Sequence, residues 1–102
     1  MTVPLLDAAA FATLAEDVPA ALLRQLIVRT LQVFQDEAAA MVTPTQRRAA
    51  AHRLAGAAGM YACPRLARAA REIEATNLVP ADFDTLVTES INALRTAAER
   101  LD

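Results

Sequence analysis

PTQRRAAAHRLAGAAGMY, residues 44–61, is the stretch on which the reading of this 102-residue chain turns. Thr43-Pro44-Thr45 is a helix-start signal, because a threonine hydroxyl can cap the first turn and proline lacks an N–H that would be unpaired there anyway. A helix is expected from about Pro44 to Tyr61. The single histidine, His52, and both glycines, Gly56 and Gly59, fall inside it within eight residues. Glycine in a helix interior costs about 1 kcal/mol relative to alanine, so this helix gives up roughly 2 kcal/mol. Alanine supplies 25 positions in the chain. Something requires the missing methyl groups.

A helical wheel suggests what. With His52 at zero, Gly56 lies at about 40°, Gly59 at about −20°, Ala55 at about −60°, Arg48 at about −40° and Arg53 at about 100°. Leu54 and Tyr61 lie at about 200° and 180°, with Ala50 and Ala58 beside them. The core face is therefore opposite His52, which should project into solvent among residues almost without side chains. The bland readings are a surface histidine with no role and small residues that serve close helix packing. The wheel argues against the second, since the glycines share the histidine's face.

Outward from this segment the chain reads as all-α. Ala, Leu, Arg and Glu are abundant, Gly is rare, and no alternating strand-like run appears. Asp7 can cap a short helix from about Ala8 to Ala15. Asp17 can cap the next, with Pro19 in its first turn, running to about Met41 on a stripe of Leu22, Leu23, Leu26, Ile27, Leu31, Phe34, Ala38 and Met41. Val28 and Val33 fall off that stripe, so extra apolar surface is expected there. Cys63-Pro64 restarts the chain, and a fourth helix from Pro64 to Ala75 should bury Leu66, Ala69, Ala70 and Ile73 while showing Arg65, Arg68 and Arg71 to solvent. Pro80 is expected to open a last helix reaching Leu101, with Phe83, Leu86, Val87, Ile91, Leu94, Ala98 and Leu101 in near-heptad spacing. Together these predict an antiparallel four-helix bundle with a short additional N-terminal helix, as one domain over residues 1–102.

The formal net charge of −2, with all ten basic residues arginine, argues against a nucleic-acid binder, which would carry a basic stripe. No apolar run approaches the roughly 18 residues of a membrane span, and no basic n-region precedes residue 7. One cysteine, Cys63, excludes an intramolecular disulfide and cannot alone build a zinc site. The expectation is a cytoplasmic monomer with no metal or cofactor of its own. Imidazole titrates near neutrality, so much of it is an uncharged nucleophile able to attack phosphorus. No second base or metal ligand lies nearby in sequence, so a self-sufficient enzyme is not expected.

The segment Ala51-His52-Arg53-Leu54-Ala55-Gly56-Ala57-Ala58-Gly59 resembles the signature of histidine-containing phosphotransfer (HPt) domains, approximately A-H-x-L-K-G-x-A-x. The likeness continues through Leu66 to the pair Ile73-Glu74, similar to the family's leucine–glutamate, and upstream in Leu31-Gln32-Val33-Phe34. The resemblance implies that His52 is the phosphoacceptor and that Gly56 lets a partner's active site close over the imidazole. Gly59, Ala55, Arg48 and Arg53 would form the docking or phosphate surroundings. The implied partners are receiver domains of response regulators and a sensor histidine kinase, with Mg²⁺ supplied by the receiver and no autokinase activity here. Two positions depart from the family: Ala55 stands where a lysine often helps hold the phosphoryl group, and Ala62 where a turn glycine is usual. Arg48 or Arg53 are the expected substitutes for the lysine. The alternative reading is a degenerate module that binds a receiver or kinase without being phosphorylated.

Overall fold

The computed structural model describes residues 2–101, so Met1 and Asp102, the ends of the expected 1–102 domain, lie outside the described residues. Five α-helices follow one another: α1 (Ala8–Asp17), α2 (Ala20–Ala39), α3 (Pro44–Met60), α4 (Pro64–Thr76) and α5 (Phe83–Glu99). No strand occurs among the described residues. The all-α reading stands.

Local chemistry explains most of the boundaries. Asp7 caps α1 by accepting a hydrogen bond from the Ala10 N–H at 3.1 Å. Asp17 does not cap α2: it is the last residue of α1, and α2 begins without a side-chain cap. The reason is Pro19, whose ring forces Val18 into extended backbone and separates Asp17 from the next helix. Thr43 and Gln46 form a capping box on α3, with Gln46 N–H donating to the Thr43 hydroxyl at 3.2 Å and Thr43 N–H to Oε1 of Gln46 at 3.3 Å. Pro64 sits in the first turn of α4, and Asn77, at φ 59°, closes it in the left-handed conformation that asparagine tolerates. Pro80 does not open α5. It begins a turn instead, its carbonyl accepting from Phe83 N–H at 3.1 Å, and the helix starts at Phe83.

Helices α2, α3, α4 and α5 pack in a closed ring, each against its two neighbours, and α1 lies on α2. Cross-helix pairs show the antiparallel sense. Arg47 near the start of α3 donates to Oδ1 of Asn77 at the end of α4 (3.0 Å), and His52, further along α3, meets Glu74, further back on α4. The core is aliphatic and aromatic: Leu23, Ile27, Phe34, Leu54, Leu66, Ile73, Phe83 and Leu94 are almost wholly buried. Ala67 rather than Ala69 completes the buried face of α4. Arg65, expected in solvent, is half-buried, because its Nε donates to the Val3 carbonyl at 2.7 Å and ties the N-terminal segment to α4. Val28 and Val33 are exposed, so α2 does present apolar surface beyond its core face. Leu22, expected on the stripe, is exposed too, because it lies about 80° outside the arc from Thr30 to Leu31 that the bundle buries.

The α3–α4 turn carries the second departure from the family pattern. Ala62 adopts φ 64°, the left-handed region that glycine enters freely and alanine enters at a cost of about 1–2 kcal/mol. Its methyl is buried, and its carbonyl accepts from Asp7 N–H at 2.8 Å, fastening the start of α1 over the turn. A backbone that calls for glycine here is built with alanine.

Candidate functional site

Helix α3 is flanked by α2 on one side and α4 on the other. Its buried residues are Ala50, Ala51, Leu54, Ala55 and Ala58, an arc of about 140°. Four of the five are alanines, and these small side chains let the neighbouring helices come close. The glycines do something else. A Cβ built on Gly56 or Gly59 would meet nothing within 4 Å, so neither serves helix packing. They clear the surface instead.

His52 stands at the centre of that cleared surface with its side chain 74% exposed. Its Nδ1 lies 2.9 Å from Oε2 of Glu74, whose side chain, 38% exposed, reaches across from α4. A carboxylate only accepts, so the ring nitrogen facing it must donate. This contact therefore selects the tautomer with hydrogen on Nδ1 and leaves the Nε2 lone pair directed to solvent. It also fixes the ring plane between two helices. The neighbours at Gly56 and Gly59 leave Nε2 open to close approach by another molecule.

The other residues expected at the site fall differently. Ala55 is 7% exposed and its methyl joins the core, not the open patch. The arc buried by two flanking helices is wider than a single core face, and it reaches the edge where Ala55 sits. Arg53 is exposed but held by an ion pair between its Nε and Glu37 of α2, turned away from the imidazole. Arg48 is exposed one turn before His52 and, among the described residues, makes no side-chain hydrogen bond or ion pair. Glu74 was not singled out as a site residue by sequence. Its signal was there in the pair Ile73-Glu74, but the contact spans 22 positions and needs the α3–α4 register.

Cys63 lies apart from this patch. It is fully buried at the start of α4, and burial pushes its thiol up to about 12. Among the described residues no three or more His, Cys, Asp or Glu side chains gather as a metal set, and no helix is long and apolar enough to cross a membrane. What the site offers is one oriented nucleophilic nitrogen on a rigid, accessible surface.

Searches of curated proteins and of solved structures find no significant match. The family model described as Hpt domain matches residues 11–102, most of α1 and all of the ring, including His52, Gly56 and Glu74. With nine-tenths of the sequence matched, an all-helical bundle and an exposed histidine on its third helix, the chain belongs to the Hpt domain family, the histidine phosphotransfer modules of two-component signalling.

Proposed function

We propose that His52 is the phosphoacceptor and that the domain relays the phosphoryl group between a sensor kinase or receiver domain and the aspartate of a response regulator. The observation that carries this reading is the exposed imidazole, oriented by Glu74 and ringed by glycines. In the forward step Nε2 attacks phosphorus in line. The Nε2–P bond forms as the bond from phosphorus to the partner's aspartyl oxygen breaks, and the aspartate leaves as a carboxylate with the electron pair. The ring gains positive charge as it reacts, and the Glu74 carboxylate on Nδ1–H offsets that charge. In the reverse step a receiver carboxylate displaces the imidazole. Mg²⁺ and the remaining charge-stabilising groups belong to the receiver in this scheme. The domain works as a cytoplasmic monomer, in contacts below about 1,200 Å² typical of transient signalling pairs.

Ala55 favours one other reading, since no lysine stands beside the imidazole: a module that binds a receiver or kinase without accepting phosphoryl. Intact-mass analysis separates the two. The wild type and His52→Ala are mixed with phosphorylated receiver domains and kinases from the same organism. An acid-labile phosphoryl adduct on the wild type alone is expected. Binding that survives His52→Ala, with no adduct from any donor, would favour the second reading.

A further inference from the structure

A phosphoryl group on Nε2 carries up to two negative charges, while Glu74 is answered by the positive charge of the phosphorylated ring. A cation is needed for the phosphoryl oxygens. It cannot be lysine, because the chain has none, and Arg53 is occupied by Glu37.

The helix register shows where one stands. On α3, moving from Arg47 to His52 corresponds to moving back from Asn77 to Glu74 on α4. The next turn of α3, at Ala55, therefore answers to Arg71 of α4. Around α4, with Glu74 at zero, the buried residues Ala67, Ala70, Leu66 and Ile73 run from about 20° to about −100°, and Arg71 lies at about 60°. Glu74 faces α3, and Ala69, on the far flank, lines a groove with Leu86 of α5. Arg71 thus occupies the α3 side of α4, just outside Glu74. It is exposed and, among the described residues, makes no side-chain hydrogen bond or ion pair. Across from it stand Ala55, whose methyl points into the core, and Gly59, whose surface is open. A Cβ built on Gly59 would meet nothing within 4 Å, so this part of the α3 surface is open to a guanidinium from α4. Arg68, one position further round, is paired with Glu72 at 3.8 Å.

We infer that Arg71 supplies from the neighbouring helix the cation that holds the phosphoryl group on His52, at the place left without charge by Ala55. This rests on the phosphoacceptor role proposed above. Its planar fork suits two phosphoryl oxygens, and the one helix then carries both controls: Glu74 sets the imidazole and Arg71 faces the phosphorus side.

The test uses the 102-residue chain phosphorylated with phosphoramidate, in which the donor's P–N bond breaks, ammonia leaves and the Nε2–P bond forms. The last phosphoryl proton is then titrated by ³¹P NMR in wild type, Arg71→Ala, Arg71→Lys, Arg68→Ala and Arg48→Ala. A cation at about 5–6 Å near a surface lowers such a titration by roughly half to one pH unit. Arg71→Ala should raise the midpoint by that amount, Arg68→Ala should leave it in place, and Arg71→Lys should hold it close to wild type. An unmoved midpoint in Arg71→Ala, a shift seen only in Arg48→Ala, or a rise in Arg71→Lys equal to that in Arg71→Ala would overturn the inference. Absence of any phosphohistidine resonance in the wild type would instead overturn the phosphoacceptor reading beneath it.

Discussion

Replacing both glycines of α3 by alanine should make the protein more stable and less active. Neither glycine has a positive φ, and a Cβ at either position meets nothing within 4 Å, so the substitutions carry no steric cost. Each should recover about 1 kcal/mol of helix propensity, partly by reducing the freedom of the unfolded chain, for about 2 kcal/mol together. In a domain of this size 1 kcal/mol moves the midpoint by about 4–8 °C, so the double variant should melt roughly 8–16 °C higher, read by circular dichroism at 222 nm. Transfer from a phosphorylated receiver, followed by rapid quench, should fall in the same protein. The reacting atoms must come within about 3–3.5 Å, and a misplacement of about 1 Å can cost about 10²-fold. Gly56→Leu sharpens the contrast, since leucine is nearly as good a helix former as alanine but stands well above the imidazole's surroundings. It should keep the added stability and reduce transfer by at least about 10²-fold. A melting point that falls would show that the glycines are needed by the fold. Wild-type transfer in Gly56→Leu would show that the open patch is irrelevant.

Two further outcomes follow from the side chains around and beneath the site. Glu74→Ala should release the imidazole tautomer, so that ¹⁵N shifts of His52 move from a Nδ1–H pattern toward a mixture, and transfer should slow by about tenfold, the worth of one charge-assisted hydrogen bond; an unchanged ¹⁵N pattern would refute the orienting role. Cys63 titrates normally near 9.0 but is pushed up to about 12 in the fold, so the folded state holds the thiol proton that the unfolded state has released. Stability from this group is therefore complete below about pH 9 and lost above it, by about 1.4 kcal/mol per unit until about pH 12. Urea unfolding at pH 8.5 and 10 should show a drop in the wild type that is absent in Cys63→Ala; equal drops in both would refute it.

How much of this was legible in the sequence depended on range. Prolines and caps act over a few residues, so Asp7, the Thr43-Pro44-Thr45 start and Pro64 marked their helices correctly. His52 and the glycines could be put on one outer face because a single helix relates them. Asp17 and Pro80 misled because the same residue types also end helices and start turns, and the outcome rested on Val18 and on the Pro80–Phe83 turn. The second half of the site was not visible within one helix. Glu74 reaches His52, Glu37 takes Arg53, and Ala55 turns inward only because α3 is enclosed by α2 and α4, which no local pattern states.

The alanine seam between α3 and α4 has a consequence for how this protein tolerates change. Ala51, Ala55 and Ala58 on one helix, with Ala67 and Ala70 on the other, set the spacing at which a carboxylate on α4 meets an imidazole on α3. That 2.9 Å contact behaves as a gauge of the backbone separation beneath it. A methylene added deep in the seam is felt in a close-packed interior, and a shift of a few tenths of an ångström is enough to weaken a hydrogen bond at the surface. Selection on signalling would then reach residues that no partner ever touches, and the interior would be held to a finer tolerance than folding alone demands.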